Sequence, residues 1–272
     1  MQTAYRASLS RACRLAQISR SLCGYRSSRP NQAGLRQRVC EVAQARPRFG
    51  YRRVHVMLVR EGWPVNMRRV RRLYRLEGLQ LRHKLRRRKH ASQHRGIPPA
   101  ASRAHERWSM DFVHDALLDG RAFRVLTVID QWSRWSPILE VAQNLSGSSV
   151  AEALDRAISQ HGKPRTITVD NGTEFTSRAL DEWAYRRGVT LDFIRPGKPT
   201  ENGFIESFNS KLRDECLNAN QFLSIDDARS KIEAWRTDYN HHRPHSALGQ
   251  LTPSEYLHRS AIEGKEAANF QL

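Results

Sequence analysis

A short apolar run that stops at an acid most constrains how this chain can fold. Thr166-Ile167-Thr168-Val169 ends on Asp170, and Asn171-Gly172 follows. β-Branched residues favour extended backbone, and Asn-Gly is a strong turn signal. The segment therefore reads as a buried strand with a charge at its carboxyl end, where ligands bind in α/β sheets. Asp and Asn also start turns for local hydrogen-bonding reasons, so Asp170 alone reads equally as a turn residue.

Two more acids deserve the same scrutiny. Pro196 and Pro199 punctuate the loop before a helical segment, and Thr200 is placed to cap it. On a wheel of about 3.6 residues per turn, Asn202, Glu206, Ser210 and Arg213 share one face, with Phe204, Ile205, Phe208, Leu212 and Cys216 on the other sides. Gly203 inside that helix counts mildly against it, at about 1 kcal/mol. Upstream, Trp108, Met110 and Phe112 alternate with Ser109, Asp111 and Val113, a strand of period two in which Asp111 points away from the large apolar side chains. Taken singly, Glu206 reads as a solvated helix carboxylate and Asp111 as an outward-facing strand residue.

The order of elements narrows the architecture. Strands are expected at 108–114, 123–130 and 136–142, with a turn at Asp119-Gly120, as an antiparallel meander. A helix at 147–161 (Val150, Leu154, Ile158), the strand at 166–170, a helix at 177–187 (Leu180, Trp183, Ala184) and a strand at 190–194 follow. Three strands and then alternating helix and strand is the order of a ribonuclease-H-like α/β fold. A further helix is expected over 224–242, started by Ser224 and Asp227, with Ile232, Trp235 and Tyr239 on one side. His241, His242 and His245 lack accompanying carboxylates or cysteines at ligand spacing, and the polar tail after 258 is expected to fray.

Charge is segregated along the chain. Residues 1–104 hold 26 Lys and Arg against 3 Asp and Glu, and residues 105–272 hold 20 against 24. A basic front half points to a polyanionic partner, although a ribosomal or membrane-surface role fits charge alone. Residues 8–28 read as two short basic helices, with Ser19 capping the second and Leu9, Ala12, Leu15 and Ala16 as an apolar face. The helix over 33–48 buries Leu35, Val39, Val42 and Ala43. Val54, Met57 and Leu58 mark the next helix. After Gly62-Trp63-Pro64, Asn66 caps another, with Val70, Leu73, Tyr74 and Leu76 facing in and Gly78 stopping it. Its exposed Arg68, Arg69, Arg71 and Arg72 suit a nucleic-acid groove. Arg86, Arg87, Arg88 and Lys89 fall in a basic linker that tracks phosphates.

The four cysteines, Cys13, Cys23, Cys40 and Cys216, have no zinc spacing and suit a reducing cytoplasm. No apolar run approaches the roughly 18 residues of a membrane span. The Arg- and Ser-rich start superficially resembles a transit peptide but reads better as a small DNA-binding unit.

WSMDFV, VDNGTEF and GKPTENGFIESFNSKLRDECL together resemble the three acidic motifs of DDE transposases and retroviral-type integrases. In detail the chain is similar to the second-frame product of the insertion-sequence-three family. That family's ending is matched by Tyr239-Asn240, Arg243-Pro244-His245-Ser246, Leu248-Gly249 and Thr252-Pro253-Ser254-Glu255-Tyr256. The resemblance covers roughly residues 8–258. It implies an integrase-type core with a mixed five-stranded sheet, preceded by an all-α helix-turn-helix region. It makes Asp111, Asp170 and Glu206 the catalytic, metal-holding triad. The implied division is 1–29 (small helix-turn-helix-like segment), 30–81 (DNA-binding domain), 82–104 (linker), 105–222 (catalytic core) and 223–272 (helical extension and tail).

The chemistry implied is metal-dependent strand cleavage and strand transfer during transposition. Two magnesium or manganese ions about 3.5–4 Å apart serve an in-line displacement at phosphorus, and oxygen ligands suit them. Asp111 would bridge both ions, with Asp170 and Glu206 on one each. Lys198, Lys211 and Arg213 would contact DNA near the site. The partners implied are element ends and target DNA, a second copy of the chain, and a first-frame helix-turn-helix and zipper protein, joined at times by frameshifting. The location implied is the bacterial cytoplasm, at the nucleoid. The rival readings are a non-catalytic DNA-binding regulator or inactive relic, and a nuclease of the same fold without joining activity.

Overall fold

The computed structural model describes residues 8–25, 32–81, 101–195 and 199–269, without the side chains of 199–200 and 264–269. Its centre is a five-stranded sheet of β1 (Arg107–Ala116), β2 (Ala122–Asp130), β3 (Leu139–Ala142), β4 (Thr166–Val169) and β5 (Thr190–Phe193). The order is β3-β2-β1-β4-β5. β1 to β3 form the antiparallel meander, and β4 and β5 add parallel to β1. The sheet is mixed, as the resemblance implied.

Period two sorts the side chains of this sheet onto two faces. Trp108, Met110, Leu126, Val128, Ile167 and Val169 face one way. They pack under α6 (Gly147–His161) and α7 (Arg178–Arg187). Val113, Phe123, Val125, Ile129 and Val141 face the other way, onto α8 (Gly203–Glu215) and α9 (Ile225–His241). Each large side chain so buried contributes about 1.5–3 kcal/mol relative to exposure. Gly147 starts α6 so close to α7 that a Cβ there would lie 1.9 Å from Ser177 Oγ.

The amino-terminal part is helical. Short α1 (Leu9–Leu15) and α2 (Arg20–Cys23) precede α3 (Ala33–Ala45), α4 (Tyr51–Arg60) and α5 (Met67–Leu76). The last three share a core of Leu35, Val39, Val54, Leu58, Val70 and Leu73. Asn66 caps α5 with a bond from the Arg68 amide at 2.8 Å, and Gly78 ends it in the left-handed region at φ 69°. This unit docks on the sheet-bearing part through ion pairs of Arg46 with Asp238, Arg53 with Glu215, and Arg60 with Glu255.

Several local expectations need correction. Leu9 and Leu15 are exposed and Cys13 is the buried residue of α1, because α1 turns its Cys13 side, and not the leucines, toward α2. Leu76 is also exposed, since it lies about 200° around α5 from Tyr74. The third strand begins at Leu139, not 136. Pro137 has no N–H to give, and Ser136 is held by Asn240 at 2.9 Å in both directions. Thr200 is not the cap: a 3₁₀ turn over Pro199–Asn202 leads into α8, so Gly203 stands at the first helical position rather than inside. The stretch after 258 continues as α10 (Pro253–Asn269), supported by alanines and an Arg259–Glu263 pair.

Candidate active site

The sheet places two of the three acids by register alone. β1 pairs with β4 through Ser109 and Thr168, so continuing the ladder sets Asp111 beside Asp170. Both are two residues past a paired position, so both project to the α8 face. Beneath them, Gln131 donates to Ser109 Oγ at 2.8 Å and Thr168 Oγ1 at 3.3 Å, a buried polar floor.

α8 supplies the third acid. Asn202, just before the helix, donates to the Met110 carbonyl at 3.3 Å, and Asn209 donates to Asp111 Oδ2 at 2.9 Å. Glu206 lies between them at helical spacing, four residues after one and three before the other, so it shares their face toward β1.

The Asp111 carboxyl senses the other two acids. Burial pushes the Asp111 carboxyl up to about 6, and the charges of Asp170 and Glu206 push the same way. The Phe112 amide and Asn209 oppose this as donors. Among the described residues no three His, Cys, Asp or Glu side chains are gathered tightly enough to hold a metal ion as they stand. The fold thus brings the acids to one face within electrostatic reach without closing them onto a point.

The turn that carries Asp170 is clamped. The Gly172 amide donates to Asp170 Oδ1 at 3.0 Å. Glu174 pairs with Arg124 of β2, which lies 4.3 Å from the centre of the Phe112 ring, and Phe112 stacks on Phe175 at 4.9 Å. That pairing, chiefly the Arg124 hydrogen bond, holds the Glu174 carboxyl down at about 2.

The expected nucleic-acid contacts distribute unevenly. Arg68, Arg69, Arg71 and Arg72 are exposed on α5. Arg68, Arg71, Arg72 and Arg75 border one shallow groove, so Arg75, one turn on, belongs with them. Arg213 is exposed beside β1 and donates to the His114 carbonyl at 3.1 Å. Lys211 turns away from Glu206 and donates to Ser207 Oγ at 2.7 Å. Arg86, Arg87, Arg88, Lys89 and Lys198 lie outside the described residues. The helical wheel already sets Asn202 on the face of Glu206, whereas the sequence reading does not single out Asn209. Its spacing of three residues from Glu206 was the available signal.

With this geometry in view, likeness to known proteins becomes informative. Residues 101–199 and 187–253 match integrase core domain families, and 30–89 match an HTH-like domain family. An insertion element IS407 protein of 31.7 kDa from Burkholderia multivorans is 47% identical over 96% of this chain and 94% of its own length. The chain belongs to the insertion-sequence-three family of transposases. Transposase InsF for insertion sequence IS3A of Escherichia coli is 24% identical to this transposase, over 93% of the chain and 95% of its relative. A chain of the simian T-cell lymphotropic virus intasome shares its fold at a TM-score of 0.51 and 16% identity, over 81% of the transposase and 74% of that chain. Among the described residues no helix is long and apolar enough to cross a membrane.

Proposed function

We propose that the transposase cuts DNA at the ends of its insertion element and joins the freed ends to target DNA, with Asp111, Asp170 and Glu206 as the catalytic carboxylates. The observation that carries this reading is the Asn209–Asp111 bond, which ties the helix bearing Glu206 to the strand beside Asp170. The donor set fits a hard divalent cation. It offers carboxylate oxygens, and the Oδ1 of Asn209 is buried beside them with no hydrogen-bond partner among the described residues. Burial first, and then the charges of Asp170 and Glu206, raise the Asp111 carboxyl, and a bound cation would oppose both.

Asp111, Asp170 and Glu206 would hold magnesium or manganese, two ions in all. Bound there, the ions supply charge relief at phosphorus and an activated oxygen nucleophile. The protein's own part is placement. Asn209 fixes the Asp111 carboxylate, the Gly172 amide fixes that of Asp170, and α8 presents Glu206 from above the sheet. Glu206 is exposed and can swing toward the pair. Water attack nicks a strand, and the freed 3′-hydroxyl attacks a second phosphate.

The α5 arginines would hold duplex DNA, as would Arg213 near the site. Residues 30–81 would serve as the DNA-binding domain, 105–222 as the catalytic core, 82–104 as linker, and 1–29 and 223–272 as accessory segments. Action at two element ends calls for a second copy of the chain, and a first-frame helix-turn-helix and zipper partner would add end recognition, at the nucleoid. A magnesium-dependent nicking and strand-transfer assay on end-bearing DNA tests the reading. Full activity in Asp170→Ala or Glu206→Ala would overturn it.

A further inference from the structure

α8 presents a second side to a half-open, cation-rich cavity of about 540 Å³. Gly203, Phe204, Ser207 and Lys211 form that side, and at about 100° per residue it lies roughly a third of a turn from Glu206. Arg53 of α4, Arg134 after β2, and Arg243 and His245 after α9 complete the basic lining. Arg243 and His245 are only 1% and 6% exposed.

The charges in this cavity do not balance. Glu215 accepts two bonds from Arg243, at 2.8 and 2.6 Å, and lies 3.8 Å from Arg53. Glu201 on the wall is engaged by Arg195. Arg134 is held over the Phe204 ring at 4.1 Å. Burial first, and then Arg243, push the Lys211 ammonium down to about 8. Burial and the same four cations hold His245 neutral, and its buried Nε2 has no hydrogen-bond partner among the described residues. Buried positive charge in excess is costly unless an anion offsets it.

We propose that this cavity binds a phosphate group of a DNA strand, with Arg53, Arg134, Lys211 and Arg243 neutralising it and His245 Nε2 completing its hydrogen bonds. Guanidinium groups suit phosphate because they present paired donors in a plane. The depth of Arg243 and His245 favours a phosphate on a single or frayed strand over one on a duplex backbone. The strand as source rests on the transposase reading above; the demand for an anion rests on the cavity alone.

The test uses the full chain in a metal chelator, so no cleavage is involved. Thermal midpoints are measured with inorganic pyrophosphate against sodium chloride at matched ionic strength. Affinity for a 5′-phosphorylated single-stranded oligonucleotide is measured in parallel. Arg53→Gln and Lys211→Gln are compared with Arg178→Gln, a change on the exposed surface of α7. Pyrophosphate should stabilise the wild type beyond the chloride effect, and both cavity variants should weaken pyrophosphate and oligonucleotide about tenfold or more. Without anion Lys211→Gln should melt no lower than wild type, since it removes a repelling charge; Arg53→Gln also loses its Glu215 ion pair and is read through anion and oligonucleotide binding alone. A merely structural role for Lys211 would lower the Lys211→Gln midpoint. Stabilisation matching chloride, or equal binding by wild type and cavity variants, would overturn the anion site. Oligonucleotide affinity unchanged while pyrophosphate binding falls would overturn the strand assignment. An Asp170→Ala protein that is inactive yet binds pyrophosphate separates this site from the carboxylates.

Discussion

Asn209 of α8 donates its side-chain amide to Oδ2 of Asp111 on β1 at 2.9 Å, joining residues 98 positions apart. This one bond aligns the helix that bears Glu206 with the strand that bears Asp111. Asn209→Ala should cost about 1.5–3 kcal/mol of stability, the usual worth of a hydrogen bond to a charged group. It should also slow magnesium-dependent nicking at least tenfold while leaving duplex binding intact. Single-turnover rates beside gel shifts check this, and a wild-type rate in Asn209→Ala would remove Asn209 from the site.

Asp170→Asn and Glu206→Gln should each reduce strand cleavage by about a thousandfold or more, equivalent to roughly 4 kcal/mol. Without metal, each should leave the thermal midpoint unchanged or raised, because Asp170 and Glu206 both press on the Asp111 charge. A lowered midpoint would show that these acids hold the fold rather than the reaction.

Glu174 predicts an acid-sensitive step in stability. Its folded carboxyl sits at about 2 against an ordinary 4.5, so the Arg124 pairing stabilises fully above about pH 4.5 and is lost as pH falls toward 2. The pair is about a quarter exposed, at 21% and 24%, so solvent screening trims its worth to about 1–2 kcal/mol. Urea midpoints of wild type and Glu174→Gln should differ at neutral pH and converge near pH 2. Parallel curves throughout would refute the pairing.

Arg68, Arg72 and Arg75 border one groove on α5. If each meets a phosphate, each change to Gln should flatten the slope of log affinity against log salt by about one, across unrelated duplex sequences. Loss confined to element ends would make them base readers instead.

Gly147→Ala should destabilise by about 1–3 kcal/mol, the range of overpacked cores, since its Cβ would lie 1.9 Å from Ser177 Oγ. Combining it with Ser177→Gly should restore much of the loss in a denaturant melt. Without that recovery, the close approach of α6 to α7 is not the cause.

Much of the core was legible because its signals are local. β-Branched runs, the Asn-Gly turn and three-to-four spacing on 147–161 each name an element from neighbours alone, and the helix appears at those bounds. Local signals failed where the deciding partner was distant. The side chain of Asn240, on α9, takes Ser136 out of the strand expected there. Leu9 and Leu15 look like a core face but are exposed.

The sequence by itself determined the family, the strand on which Asp111 stands, the acid that ends β4 and the helix that carries Glu206, because motif and period are properties of adjacent residues. Only the tertiary structure decided that Lys211 leaves the carboxylate face for a cavity shared with Arg53, Arg134, Arg243 and His245. It also decided that Asn209 grips Asp111. Both depend on which side of α8 meets the sheet, and burial of Ile205, Phe208 and Leu212 sets that rotation.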